Sequence, residues 1–182
     1  MLVRDFLIPF ITVGIAELGD KTQLAILCLA SNTKKYFELL LGVILAFLIA
    51  DGCAVLLGDF MVDLIPIGYI KIISGTIFIL FGVLTFFDKK REEAECTLRN
   101  PFLSGFWVVL LSEMGDKTQI TASVFAAKFN PYIVFLGVIS ALLILSFIAV
   151  FLSKTILRRL NQRKVSFAAG ITFILVGISC FF

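Results

Sequence analysis

The stretch "AELGDKTQLA", residues 16–25, lies between "LIPFITVGI" (7–15) and "ILCLA" (26–30), flanks that are almost wholly apolar. Two acids, a lysine and a glutamine therefore interrupt a hydrophobic run. The interruption recurs as "SEMGDKTQIT" at 112–121, inside a second such run. Any account of the first stretch must serve for both.

The chain has 182 residues, 60% of them hydrophobic, and a mean hydropathy of +1.06, well above what a soluble domain of this length carries. The expected class is an all-α integral membrane protein. Six apolar segments, at 6–30, 36–57, 67–87, 102–127, 132–152 and 165–182, are each long enough to cross about 30 Å of hydrocarbon as a helix. Pro66, Pro101 and Pro131 stand at or just before segment starts, where a missing N–H costs least, and only Pro9 falls inside first turns. The runs lack the period-2 alternation that barrel strands need. The first segment outruns a signal peptide's apolar core and shows no clear cleavage site, so no removed leader is expected.

Histidine is absent, which removes zinc chemistry of the His-Glu-x-x-His kind and leaves acid–base work to carboxylates. Cys28, Cys53, Cys96 and Cys180 show no paired spacing, so packing is expected of them rather than disulfides or a thiolate metal site. With six spans, one side of the membrane holds Lys34, Lys35, Lys89, Lys90, Arg91, Arg99, Lys154, Arg158, Arg159, Arg163 and Lys164; the other holds only Arg4, Lys71 and Lys128. The richer side is expected in the cytoplasm, with both termini outside. Those charges need no nucleic acid to explain them. Asp59 and Asp63, expected in an outer loop, are exposed acids that concentrate cations at most weakly.

At an offset of 96, "ELGDKTQ" (17–23) aligns with "EMGDKTQ" (113–119), identical at six of seven positions. At an offset of 95, Gly75, Phe78, Ile79, Leu80 and Gly82 meet Gly170, Phe173, Ile174, Leu175 and Gly177, and Gly42-Val43-Ile44 meets Gly137-Val138-Ile139. The repeat unit is three spans, residues 1–87 and 101–182, joined by a charged cytoplasmic linker at 88–100. Three being odd, the second copy enters the membrane from the opposite side, an inverted repeat of the kind secondary transporters use.

On a continuous helix, Glu17, Asp20 and Lys21 share a face, with Gln23 on its flank, and Glu113, Asp116, Lys117 and Gln119 repeat the arrangement. Each glutamate stands about 16 Å into its span at 1.5 Å per residue, near the bilayer midplane. Gly19 and Gly115 permit close helix approach or a local break there. An ionised group at the bilayer centre costs about 2.5 to 3.5 kcal/mol. The four acids and two lysines, all ionised, leave a net charge of −2. One divalent cation cancels that charge, and so do two protons, which makes exchange between them natural. Carboxylates plus the amide oxygens of Gln23 and Gln119, with Thr22 and Thr118 nearby, form an all-oxygen set suited to calcium, manganese or magnesium. Lys21 and Lys117 are expected as internal counter-ions when metal is absent.

The doubled Glu-x-Gly-Asp-Lys-Thr motif, one per three-span half, resembles the Golgi divalent-cation transport family of calcium and manganese/proton exchangers, over nearly the whole chain. The resemblance implies a metal site at Glu17, Asp20, Glu113 and Asp116, with the Gly, Lys and Thr of each motif around it. It also implies Mn²⁺ or Ca²⁺ moving out of the cytosol against protons, here in a prokaryotic plasma-membrane member. No cofactor is implied, since the metal is cargo, and no enzyme activity: Ser112 beside Glu113 lacks a recognisable catalytic partner.

Asp51 lies well inside the second segment, where its counterpart is Ser146. It is read as a proton carrier or a support to the ligands on one half only, or else as a structural hydrogen bond or a water-facing position. Two other readings of the motifs stay open: a divalent-cation channel, and a polar clasp that merely holds helices together.

Overall fold

The computed structural model describes residues 2–64, 66–87, 100–151 and 162–180. Every regular element among them is a helix: α1 (Leu2–Glu17), α2 (Lys21–Ser31), α3 (Tyr36–Leu64), α4 (Ile67–Phe87), α5 (Pro101–Glu113), α6 (Lys117–Lys128), α7 (Pro131–Phe151) and α8 (Gln162–Cys180). Six apolar runs become eight helices because the first and fourth each divide at the charged motif. The linker at 88–99 and the basic stretch at 152–161 lie outside the described residues.

Local chemistry sets several of these boundaries. Asn100 Oδ1 accepts hydrogen bonds from the N–H groups of Phe102 and Leu103, and Asn130 Oδ1 from those of Tyr132 and Ile133. In both cases proline follows the asparagine at the first helical position, where its missing N–H would be orphaned anyway. α3 runs on until just before Pro66. Asp59 is therefore exposed on the last turns of a helix, where an outer loop was expected; the side chain of Asp63 is outside the described set.

Tyr36–Phe60 of α3 and Pro131–Phe151 of α7 are long and apolar enough to cross a membrane; shorter apolar helices cover Ile72–Leu84, Pro101–Glu113 and Gly170–Ser179. α3 and α7 hold equivalent places in the two halves. Leu39, Val43 and Phe47 form a fully buried stripe at four-residue spacing on α3, and Val134, Val138 and Leu142 form its counterpart on α7. Other faces of the same helices present Leu45, Leu48, Leu56, Leu136, Ile144 and Phe147 outward. The exterior is apolar while Glu17, Asp51, Glu113 and Gln23 are buried, the reverse of a water-soluble distribution.

Around the long helices, α3 packs against α5, α6 and α7; α7 packs against α1 and α2; and α4 packs against α8. Exchanging the halves carries α3–α5 onto α7–α1 and α3–α6 onto α7–α2. Phe78 of α4, Phe125 of α6 and Phe173 of α8 join three helices, with the Phe78 ring 5.1 Å from Phe125 and 6.1 Å from Phe173, a separation at which aromatic rings attract. One sequence expectation is corrected here: Cys28 is disulfide-bonded, to a partner outside the described side chains, whereas Cys53 is free and exposed. Spacing along the chain carries no information on which cysteines packing brings together.

The α3–α6 contact depends on small residues. Ala50, Ala54 and Gly58, four apart, form a groove in α3, and Ser123 of α6 donates its hydroxyl to the Ala54 carbonyl at 2.6 Å. A Cβ on Gly58 would meet the Ser123 carbonyl oxygen at 2.1 Å, whereas one on Gly14 would meet only the Ala141 methyl at 3.8 Å. Gly58→Val should cost about 3 kcal/mol or more by forcing two backbones apart. Gly14→Ala should stay within about 0.5 kcal/mol. Thermal unfolding of both variants in detergent checks the contrast.

Candidate metal site at the two helix breaks

Each charged motif is a helix break built the same way. α1 ends at Glu17 and α2 begins after Asp20; α5 ends at Glu113 and α6 begins after Asp116. The N–H of Asp20 donates to the Glu17 carbonyl at 3.2 Å, and that of Asp116 to the Glu113 carbonyl at 3.0 Å. Between them Gly19 has φ 77° and Gly115 φ 78°, the two positive values among the described residues. A side chain there would cost about 1–2 kcal/mol, so glycine is what lets the chain turn. Asp20 and Asp116 then stand in extended conformation as N-caps, and Asp20 Oδ1 accepts from the Lys21 N–H at 2.8 Å.

This corrects the continuous-helix geometry expected from spacing. Glu17 and Asp20 are not one face of one helix; they end one helix and start the next, with the helix-terminal peptide groups gathered beside them.

The breaks bring the two halves together. Glu17, Asp20 and Asp116 each offer a carboxylate oxygen, and these oxygens lie within 4.8 Å of one another. Lys117 pairs with Asp20, and the Thr118 hydroxyl donates to Glu17, so each contact joins the second motif to the first. Glu17 is fully buried and its Oε2 has no partner among the described residues. Glu113 is likewise fully buried, and neither of its oxygens is hydrogen-bonded. It stands outside the close group of three, near enough to feel the charges of Asp51, Asp116 and Asp20. Asp51 of α3 is fully buried with both oxygens unpartnered and lies within electrostatic reach of Glu17. Ser146, its counterpart on α7, is also buried.

The remaining motif residues are placed unequally. Gln119 Oε1 accepts from the Gly115 N–H at 2.9 Å and its Nε2 donates to the Ala50 carbonyl at 3.2 Å, so an amide expected as a ligand is engaged by backbone. Gln23 is buried with both amide atoms unpartnered. Thr22 lies toward Glu113, its buried hydroxyl short of a hydrogen bond. Lys21 is partly buried and forms no ion pair among the described residues. Sequence reasoning missed Thr121 and Ser123. Thr121 is buried with an unpartnered hydroxyl, and the polar run past the second motif, where the first half has Ala25 and Leu27, was the available signal.

Chemically, three carboxylates within reach of one ion, a fourth and fifth buried nearby, and hydroxyl and amide oxygens make an all-oxygen environment suited to a hard divalent cation. Leaving those carboxylates ionised and unpaired in an apolar interior is costly. Lys117 offsets part of that cost at Asp20.

Residues 5–93 and 101–182 match the family model described as divalent cation/proton antiporter GDT1. A Vibrio cholerae protein named "Putative manganese exporter" is 34% identical over 123 residues, 67% of this chain and 62% of that protein's length. GDT1-like proteins of Synechocystis (24% identical) and of Arabidopsis thaliana (25% identical) match over 97% of this chain and 96% and 95% of their own lengths. No solved structure matches the chain significantly.

Removing the Lys117 charge leaves Asp20 unpaired in a partly buried setting. Lys117→Met should cost about 2 kcal/mol, a fall in Tm of about 4 to 8 °C. Millimolar Mn²⁺ should raise the variant's Tm by more than the wild type's, because a cation then takes the lysine's place. Differential scanning fluorimetry with and without Mn²⁺ reads both effects.

Proposed function

This chain belongs to the GDT1 family of divalent cation/proton antiporters, and from that premise we propose that it exports Mn²⁺ or Ca²⁺ from the cytosol in exchange for protons. The convergence of Glu17, Asp20 and Asp116, from opposite halves, on one ion-sized space carries the reading. Glu17, Asp20 and Asp116 hold the cation, and Glu113 adds its carboxylate when the second motif closes. The amide oxygen of Gln23 lies free to complete the shell. Lys117 and Lys21 act as resident counter-ions: the incoming cation displaces Lys117 from Asp20, and the lysine returns when the cation leaves. Thr118 and Thr22 steady the two glutamates.

Net charge sets the coupling. Two protons or one divalent cation bring the six motif charges to neutrality, and a site of net −2 in an apolar interior is disfavoured during the access change. Either load crosses; the bare site does not. Asp51 carries protons to and from the site, as its burial beside Glu17 and Glu113 without a hydrogen-bonding partner supports.

In this reading the two halves, 1–87 and 101–182, are inverted three-span repeats in the plasma membrane. α1 with α2 and α5 with α6 each form one broken span, and both termini lie outside. Broken helices meeting at a midplane site are the usual place for ion binding in such repeats. The name of the Vibrio cholerae relative supports manganese as a cargo.

The test is purified protein in liposomes with an imposed pH gradient, recording Mn²⁺ or Ca²⁺ uptake and internal pH together. Metal flux should be coupled to opposing proton flux and fall at least about tenfold in Glu17→Gln and in Glu113→Gln. Normal transport in those variants would make the carboxylates a structural clasp. Flux that persists without a proton gradient and does not saturate would make the protein a channel. In the same assay Asp51→Asn should abolish proton coupling while metal binding is largely kept; unchanged coupling removes Asp51 from the proton path.

A further inference from the structure

The tripeptide Lys-Thr-Gln opens both short helices, at 21–23 in α2 and at 117–119 in α6, yet only the second copy closes side-chain contacts, while Thr22 and Lys21 lie within electrostatic reach of Glu113 and Asp116 without a hydrogen bond or ion pair among the described residues. Lys117 pairs with Asp20, Thr118 donates to Glu17, and Gln119 ties the Gly115 N–H to the Ala50 carbonyl of α3. Lys21 makes no ion pair among the described residues, and the side chains of Thr22 and Gln23 are buried with no hydrogen-bond partner. Helix packing shows the same bias. α6 packs on α4 and α1 on α8, with no comparable packing of α2 on α8 or of α5 on α4 among the described residues.

Identical tripeptides in equivalent positions have identical local chemistry, so the difference between them lies in how the surrounding helices are arranged. A buried carboxamide with neither end satisfied is costly, and Gln23 is in that condition. An arrangement that satisfies Gln23 is the one in which the halves exchange roles. At the repeat offset the counterpart of Ala50 is Leu145 of α7, and α2 already packs against α7.

We propose that Gln119 and Gln23 are alternating latches, positioning residues that in turn fasten one half's short helix to the other half's long helix. In the arrangement described, Gln119 fastens α6 to α3 through Ala50, the residue before Asp51. In the exchanged arrangement Gln23 bridges the Gly19 N–H and the Leu145 carbonyl, while Lys21 takes Asp116 and Thr22 takes Glu113. The inference rests on the exchanger reading given above. It narrows that reading by removing Gln119 from the ligand shell while its latch is closed.

The consequence is a population effect. The apparent affinity at each membrane face scales with the fraction of molecules open to that face, so weakening one latch raises KM at one face and lowers it at the other. Mn²⁺ transport is measured in right-side-out and everted vesicles for wild type, Gln119→Leu, Gln23→Leu and the double variant. The ratio of the two KM values should shift about three- to tenfold, the effect of one or two hydrogen bonds on an equilibrium. It should shift in opposite directions in the two single variants and return toward wild type in the double. Gln23→Asn and Gln119→Asn serve if the leucine forms do not insert.

A KM that rises by the same factor at both faces, leaving the ratio unmoved, would make these residues simple ligands, and a fall in maximal rate alone would make them structural. Either result, or shifts in the same direction, overturns the latch while leaving exchange intact. Absence of coupled exchange in wild type defeats the exchanger reading and the latch together.

Discussion

The structure depends on one constraint: two Glu-x-Gly-Asp turns place four carboxylates and two lysines in the apolar middle of a helical bundle, where every unpaired charge is penalised. Each turn requires a glycine at positive φ, because only that conformation ends a helix at the glutamate and starts the next at the aspartate three residues on. The charges must then be neutralised from within. Lys117 reaches across the half-repeat boundary to Asp20, and Thr118 reaches to Glu17. The close packing that surrounds them, with α6 in the Ala50–Ala54–Gly58 groove of α3, holds those partners in register.

From that constraint function follows as a problem of charge compensation. A bundle whose centre carries unpaired carboxylates is stable only with something bound to them, be it a lysine, a proton or a metal ion. Competition among those three for the same oxygens is the elementary step of an antiporter. Family membership says which cargo classes are exchanged, and the cluster of Glu17, Asp20 and Asp116 is the place proposed for the competition. Within that site the Lys-Thr-Gln of the second motif is engaged, while the side chains of the same tripeptide in the first form no ion pair or hydrogen bond among the described residues.

Much of this was legible in the sequence, and the part that was not has a common cause. The apolar runs, read with Pro66 and Pro131 as boundaries, place α4 and α7 within a residue or so, since proline acts locally. The doubled motif pointed to the residues that the structure gathers at the two helix breaks, because two charged heptapeptides that agree at six positions, each set in an apolar run, do not arise by chance. The break itself was only one of two options at Gly19 and Gly115, and spacing on a continuous helix then assigned Glu17 and Asp20 to one face, which the turn overrides. What spacing did not reveal are contacts between residues far apart in the chain: Lys117 with Asp20, Gln119 with Ala50, Ser123 with Ala54, and the disulfide at Cys28. The motifs are symmetric as written, so nothing in the string says which copy holds the other.

The most direct test of a single site assembled from both halves is calorimetric titration of the purified protein with Mn²⁺, run in buffers of differing ionisation enthalpy so that heat reports both metal bound and protons released. The account predicts one Mn²⁺ per chain, bound with release of protons. Both signals should be lost in Glu17→Gln, from the first half, and equally in Asp116→Asn, from the second. Retained binding at reduced stoichiometry in either variant, meaning two independent sites, or binding that releases no protons would contradict it.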